Sequence, residues 1–294
     1  MPEAVTSPPA FVHLRVHSEF SVVDGIVRIS DLIKRVAKLG QPAVALTDLS
    51  NIFGLIKFYK SARGAGVKPI AGCDVWLTND DDPDKPFRVL LLVRNHQGYL
   101  NLCELLTRSF LENQGRGRAE IRREWLQGRQ GLIALSGGRA GDIGHALDAG
   151  NAVTALSLAR QWAQLFPGAF YIELQRAGTD GDEAYTQAAM RLAAEAGLPV
   201  VATHPVQFLD ESEFQAHEAR VCIAQGEILA DPRRVRRFTK DQYLLSAEEM
   251  ARRFADVPSA LANTLEIAKR CNLTLVLGKP RLPNFPTPDG ISLD

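Results

Sequence analysis

His13-Leu14-Arg15-Val16-His17-Ser18-Glu19-Phe20-Ser21-Val22-Val23-Asp24-Gly25 carries the chemistry of this chain. Val12, Leu14 and Val16 alternate with His13, Arg15 and His17, the period of a strand with one apolar face buried. Two imidazoles and a guanidinium then project together, and Asp24 adds a carboxylate from the next loop. Imidazoles two apart on a strand share a face, so an unbroken His-x-His-x-His would signal a metal site. Arg15 breaks the run: a guanidinium has a permanent charge, five donors and no lone pair for a metal. The pattern is that of a metal site whose first ligand has been removed.

Around this stretch lie 294 residues, enough for one large α/β domain or two smaller ones. Hydrophobic residues make up 46%, ample for a core, and 34 basic residues balance 34 acidic ones. A surface that grips nucleic acid throughout shows a basic excess, so this balance argues against one. Cys73, Cys103, Cys222 and Cys271 are scattered without close pairs, which favours reduced thiols in a cytoplasmic protein. Met1-Pro2-Glu3-Ala4 has neither the charge nor the apolar run of a signal peptide, and no membrane span is expected.

Strand and helix patterns alternate. Ser30 is the expected cap of a first helix ending at Gly40; Pro42–Thr47 reads as a buried strand and Ile52–Ala62 as a helix. Strands over Pro69–Leu77 and Val89–Val93 flank an acidic turn, and Gly98–Leu106 is helical. Leu132–Leu135, Ala169–Leu174 and Pro199–Thr203 are strands, separated by helices that follow Asn151 and Asp182. Beyond Ser212 the reading is helical, with a capping box at Ser246 and Glu249 and a further helix opening at Pro258. Such alternation predicts parallel strands with helical crossovers, in a barrel or an open sheet. Residues 1–9 read as a loose lead-in, and the proline-rich residues 278–294 as a linker.

Several ordered motifs carry a family resemblance: the opening stretch, Ala45-Leu46-Thr47-Asp48, Lys68-Pro69-Ile70-Ala71-Gly72-Cys73-Asp74, Gly98-Tyr99-Leu100-Asn101-Leu102 and Gly131-Leu132-Ile133-Ala134-Leu135-Ser136-Gly137. The chain resembles the polymerase-and-histidinol-phosphatase (PHP) domain that opens the alpha subunit of bacterial replicative DNA polymerase III. The resemblance covers about residues 10 to 290 and implies a distorted seven-stranded β/α barrel over 10–277. Its site would lie at the C-terminal strand ends. The polymerase palm, with the magnesium ions of that nucleotidyltransferase, would follow the linker.

In active PHP domains, nine His, Asp, Glu or Cys ligands hold three metal ions that activate water and clamp a phosphate ester. By resemblance, the first histidine position falls on Arg15, while the second and the aspartate before glycine fall on His17 and Asp24. The histidine of a Thr-Asp-His-Gly pattern falls on Leu49, with Ser50 for the glycine. The acidic position after Gly-x falls on Asp74, a histidine on Arg88 and a cysteine on Gly138. An Asn-Asp-x-His pattern falls on His204-Pro205-Val206-Gln207, so Pro205 and Gln207 replace two ligands. His17, Asp24 and Asp74 remain as ligands, with His204 as a substitute that would have to rotate in. Two added cations repel a divalent ion, and the expected outcome is a vestigial site with no metal and no catalytic residue. Asp24 and Asp74 then need a counter-charge, and Arg15 is expected to pair with one of them.

Among the remaining features, His96, His145 and His217 read as ordinary surface or packing residues. Arg233, Arg234, Arg236 and Arg237 form the densest basic run, a candidate phosphate contact or simply a solvated face. Arg116, Arg118, Arg122 and Arg123 have the same standing. Two function classes follow. The first is a non-catalytic module of a replicative polymerase, docking the proofreading exonuclease subunit and touching DNA weakly or indirectly. The alternative is a metal-dependent phosphoesterase or 3′–5′ exonuclease acting on DNA.

Overall fold

The described residues form eight strands, most of them short apolar runs bounded by glycine, proline or polar turns and buried along most of their length. They are β1 (Ala43–Leu46), β2 (Lys68–Leu77), β3 (Phe87–Val93), β4 (Gln114–Gly115) and β5 (Arg118–Ile121), then β6 (Leu132–Leu135), β7 (Phe170–Gln175) and β8 (Val200–Thr203). Helices between and after them are α1 (Ile29–Lys38), α2 (Leu55–Gly64), α3 (His96–Glu112), α4 (Asp142–Asp148) and α5 (Ala152–Leu165). They continue with α6 (Asp182–Ala196), α7 (Phe214–Gln225), α8 (Ala247–Arg253) and α9 (Pro258–Arg270). The computed structural model describes residues 11–115 and 117–280. The expected lead-in, Arg116 and residues 281–294 of the expected linker lie outside the described residues.

The caps explain several boundaries. Asn95 and Asn151 each accept a backbone N–H of the first turn, from Gly98 and Thr154, and open α3 and α5. Ser246 and Glu249 form a reciprocal capping box at α8, and Pro258 opens α9. Ser30 is not a cap: α1 begins one residue earlier, behind Arg28, with no side-chain capping bond.

The sheet runs β4-β5-β2-β3-β6-β7-β8, with β1 also paired to β2. Expected parallel pairing holds for β1–β2, β2–β5, β6–β7 and β7–β8, but β3 is antiparallel to both β2 and β6. The physical reason is the connection: residues 78–86 make a turn with no crossover helix, so the chain reverses. That reversal sets Arg88 opposite Trp76, near the end of β2 where the parallel neighbour β5 also finishes.

The opening stretch departs from expectation in a second way. Residues 11–18 are buried on both faces, and single parallel bridges (His13 with Val44, Val16 with Val206) replace a regular ladder. His17 N–H donates to Val206 O at 2.9 Å and Ala45 N–H to His13 O at 2.8 Å, so the stretch lies between β1 and the segment after β8. The continuous ladder does not close, and the fold is a mixed α/β sheet covered by helices. One apolar cluster runs from Phe11 to Leu273, with Trp162 stacked on Phe170 at 5.6 Å.

Burial also fixes the charge state of two histidines behind this stretch. His13 Nε2 lies 2.8 Å from Leu245 O, and His204 Nε2 lies 2.9 Å from Asp241 O. Burial pushes His13 down to about 4, with Glu249 opposing. Burial, then His13 and Arg253, push His204 down to about 3. Both stay neutral in the fold but take a proton in the unfolded chain near 6.5, so their stabilisation is present above pH 6.5 and is lost as pH falls. Asp48, pushed up to about 6 by burial, works in the opposite sense. Between pH 6.5 and 5, His13→Asn should therefore remove about 1 kcal/mol per pH unit from the slope of unfolding free energy. Urea titrations at several pH values measure it, and an unchanged slope contradicts the neutral assignment.

Candidate functional site

The nine positions selected by resemblance come from separate strands and loops, and seven of them meet. Arg15, His17, Asp24, Asp74, Arg88, Pro205 and Gln207 line one cleft of about 400 Å³, together with Arg237. Leu49 stands beside it, bridged to Asp74, and Ser50 N–H donates to Asp74 O at 2.8 Å. Ser50 is the one described non-glycine residue with positive φ, +54°, at the place where the family pattern has glycine. Gly138 is buried near Gln175, whose Oε1 would lie 3.0 Å from an added Cβ.

Arg15 occupies the centre. Its Nη1 donates to Asp74 Oδ2, while Nε and Nη2 donate to Glu173 Oε1 and Oε2 at 2.8 and 3.0 Å. The expected pairing thus falls on Asp74, and Glu173 is a second partner that the sequence reading missed. Glu173 is fully buried on β7 and also accepts from Gly137 N–H, Gln175 Nε2 and Thr203 Oγ1. Its sequence signal was a single carboxylate inside the apolar run of residues 169–174. Gly137, at φ +80°, lets the end of β6 reach this carboxylate, because a Cβ there would lie 2.1 Å from Arg88 O.

Arg88 completes the coordination of Asp74. Its Nη2 donates to Asp74 Oδ2 and its Nε to Oδ1 at 3.2 Å, while the guanidinium lies 4.4 Å from the Trp76 ring centroid. His17 bridges the two aspartates: Nδ1 is 3.0 Å from Asp24 Oδ1 and Nε2 is 3.2 Å from Asp74 Oδ2. Ser21 Oγ donates to Asp24 at 2.6 Å, and His217, buried rather than on the surface, meets the Asp24 carbonyl at 2.8 Å.

Three buried carboxylates, Asp24, Asp74 and Glu173, therefore face three cations, Arg15, Arg88 and protonated His17. Burial opposes the charges on Arg15, His17, Asp24 and Asp74, and mutual attraction overrides it. For His17, Asp24 first and then Asp74 push the imidazole up to about 9 against burial. Against the same opposition, Arg15 and Arg88 hold Asp74 well below the usual carboxylate range, and His17 lowers Asp24. Both His17 nitrogens lie within hydrogen-bond reach of an aspartate oxygen. Among the described residues, no three His, Cys, Asp or Glu side chains form a group that could hold a metal ion. The residues do not fit a metal cluster, because guanidinium groups stand against its carboxylates.

The remaining candidates lie elsewhere. His204 does not line the cleft and is bound to the Asp241 carbonyl, so it does not rotate in as a ligand. The basic run is not one surface. Arg234 has a side chain only 4% exposed, clamped by Glu218 and Glu227 at 2.6 and 3.1 Å, which corrects its reading as a phosphate contact. Arg233 is paired to Asp231 at 2.9 Å, while Arg236 and Arg237 are exposed. Arg123 pairs with Asp142 and lies over Trp162.

Removing one partner from a buried ion pair leaves the others uncompensated, so Arg15→Ala should lower stability by about 3–5 kcal/mol. Arg233→Ala, at an exposed pair, should leave the urea midpoint unchanged. Denaturant unfolding of the two variants compares them, and equal midpoints would refute the central role of Arg15.

A model of the PHP domain family matches residues 13–177. DNA polymerase III subunit alpha of Pseudomonas fluorescens is 51% identical over 289 residues, covering 98% of this chain and 25% of that protein. The subunit of the same name from Neisseria meningitidis serogroup B is 52% identical over 290 residues, covering 97% and 25%. That of Escherichia coli strain K12 is 46% identical over 284 residues, covering 96% and 24%. The chain spans about a quarter of the length of these relatives. The chain, with Arg15, His17, Asp24, Asp74 and Arg88 gathered in one cleft, belongs to the PHP domain family.

Proposed function

We propose that this chain is the N-terminal PHP domain of a DNA-directed DNA polymerase alpha subunit and serves there as a non-catalytic structural and interaction module. The observation that carries the reading is the Arg15 guanidinium set between Asp74 and Glu173, at the position that the family resemblance assigns to a metal-ligating histidine. A buried cluster with balanced charges stiffens the strand ends but offers no open coordination position and no activated water. On this reading, residues 10–277 form a distorted seven-stranded barrel, with the opening stretch bridging β1 and the segment after β8. Residues 278–294 lead toward a palm that holds the polymerase's magnesium ions.

The partner we propose is the proofreading exonuclease subunit, which would couple editing to synthesis, with the rest of the polymerase chain as the covalent neighbour. DNA contact would be weak or indirect, through Arg236 and Arg237 rather than the whole basic run. Among the described residues no helix is long and apolar enough to cross a membrane; a cytoplasmic location is part of the proposal.

Two measurements test the reading. Elemental analysis of the dialysed 294-residue chain should find no stoichiometric zinc or manganese, and phosphate esters and DNA ends should stay intact with either metal added. A stoichiometric metal, together with 3′–5′ exonuclease activity lost in His17→Ala, would establish the catalytic alternative instead. Calorimetric titration with the exonuclease subunit should give saturable binding; no heat at about tens of micromolar would remove the docking role.

A further inference from the structure

The reversal of β3 carries the chain to the end of the sheet opposite the charge cluster, and there Arg94 has no counter-charge. Its backbone is engaged: the N–H donates to Gly131 O at 2.8 Å and the carbonyl accepts from Asn272 N–H at 2.7 Å. Its side chain has no hydrogen-bond or ion-pair partner among the described residues, and its Nε is shielded from solvent. Nearby cations are all answered. Arg129 meets both Glu104 oxygens at 2.6 Å, and Lys68 meets the Ala268 carbonyl at 2.7 Å and Asn272 Oδ1 at 2.8 Å. Arg270 donates to the Tyr171 hydroxyl and the Gly168 carbonyl, each at 2.7 Å.

The Arg94 guanidinium lines a cleft with no carboxylate to answer its charge, and such a charge favours an anion. Arg94 lines a cleft of about 480 Å³ with Arg129, Gln130 and Gln164, and no aspartate or glutamate lines it. The cleft over the charge cluster differs, because Asp24, Asp74, Asp148 and Asp182 all line it. Donors with no competing carboxylate suit an oxyanion that accepts in several directions at once, as a tetrahedral phosphate does.

We propose that this second cleft is a binding site for a phosphate-class oxyanion, with Arg94 supplying the charge and the Gln130 and Gln164 amides supplying neutral donors. Free phosphate and the phosphodiester of a nucleic acid share this chemistry. The proposal is independent of the module's docking role, because it concerns the opposite end of the sheet.

The test reads the Arg94 Nε–H resonance by NMR in the ¹⁵N-labelled 294-residue chain at constant ionic strength. Inorganic phosphate should move this resonance saturably, and Arg94→Gln should weaken the fitted binding at least about tenfold. Arg191→Gln, which removes an exposed guanidinium of α6 that does not line the cleft, should leave the binding intact. The wild-type titration reads the site directly, so the proposal remains testable if Arg94→Gln fails to fold. If a short single-stranded oligonucleotide moves the same resonance at lower concentration, weakening as salt rises, the source is a nucleic-acid backbone. If phosphate alone moves it, the source is the free anion. No saturable shift with either, or an equal shift with acetate, overturns the proposal.

Discussion

The Arg15 guanidinium holds together strands that the chain brings in from distant positions. Its fork spans Asp74 on β2 and Glu173 on β7, and Arg88 from the reversed β3 closes on the same aspartate. A buried carboxylate in this position has two ways to remain ionised: a metal ion or a fixed organic cation. A guanidinium supplies charge and direction together, because its planar donors meet two carboxylates in two different geometries. The site is filled by its own side chains.

That substitution changes what the cleft can do. A metal cluster in a related domain would activate water through open coordination positions. Here the donors are spent on internal carboxylates: His17 has both nitrogens within reach of aspartate oxygens, Asp74 faces three cationic side chains, and Glu173 is surrounded by donors from four residues. The electrostatics that would attract a cation are cancelled within the cluster. The result is a set of strand ends tied together by ion pairs.

The reversal of β3 shapes both ends of the sheet. It puts Arg88 at the cluster and sends Arg94 to the far end, where the cleft is lined by amides and cations and by no carboxylate. One short acidic turn between β2 and β3 thus separates a balanced cluster from an unbalanced one. The alternation of strands and helices hid this, since most of the chain does follow the parallel pattern that it predicts.

The sequence by itself determined the mixed α/β composition, most strand and helix positions, the caps at Asn151 and Ser246 and the helix start at Pro258. Arg15, His17 and Asp24 stood out within one short stretch, whereas Asp74 and Arg88 were named through the family resemblance. These are local properties: a period, a cap or a residue type without a lone pair can be read within a few positions. The tertiary structure alone decided that Asp74 rather than Asp24 takes Arg15, that Glu173 joins it and that Arg234 is clamped inside. It also decided that the opening stretch is buried on both faces. Each of these depends on which distant segments meet in space. A buried charge is answered by whatever the fold brings within hydrogen-bond reach, and Arg15 and Glu173 lie 158 residues apart in the chain.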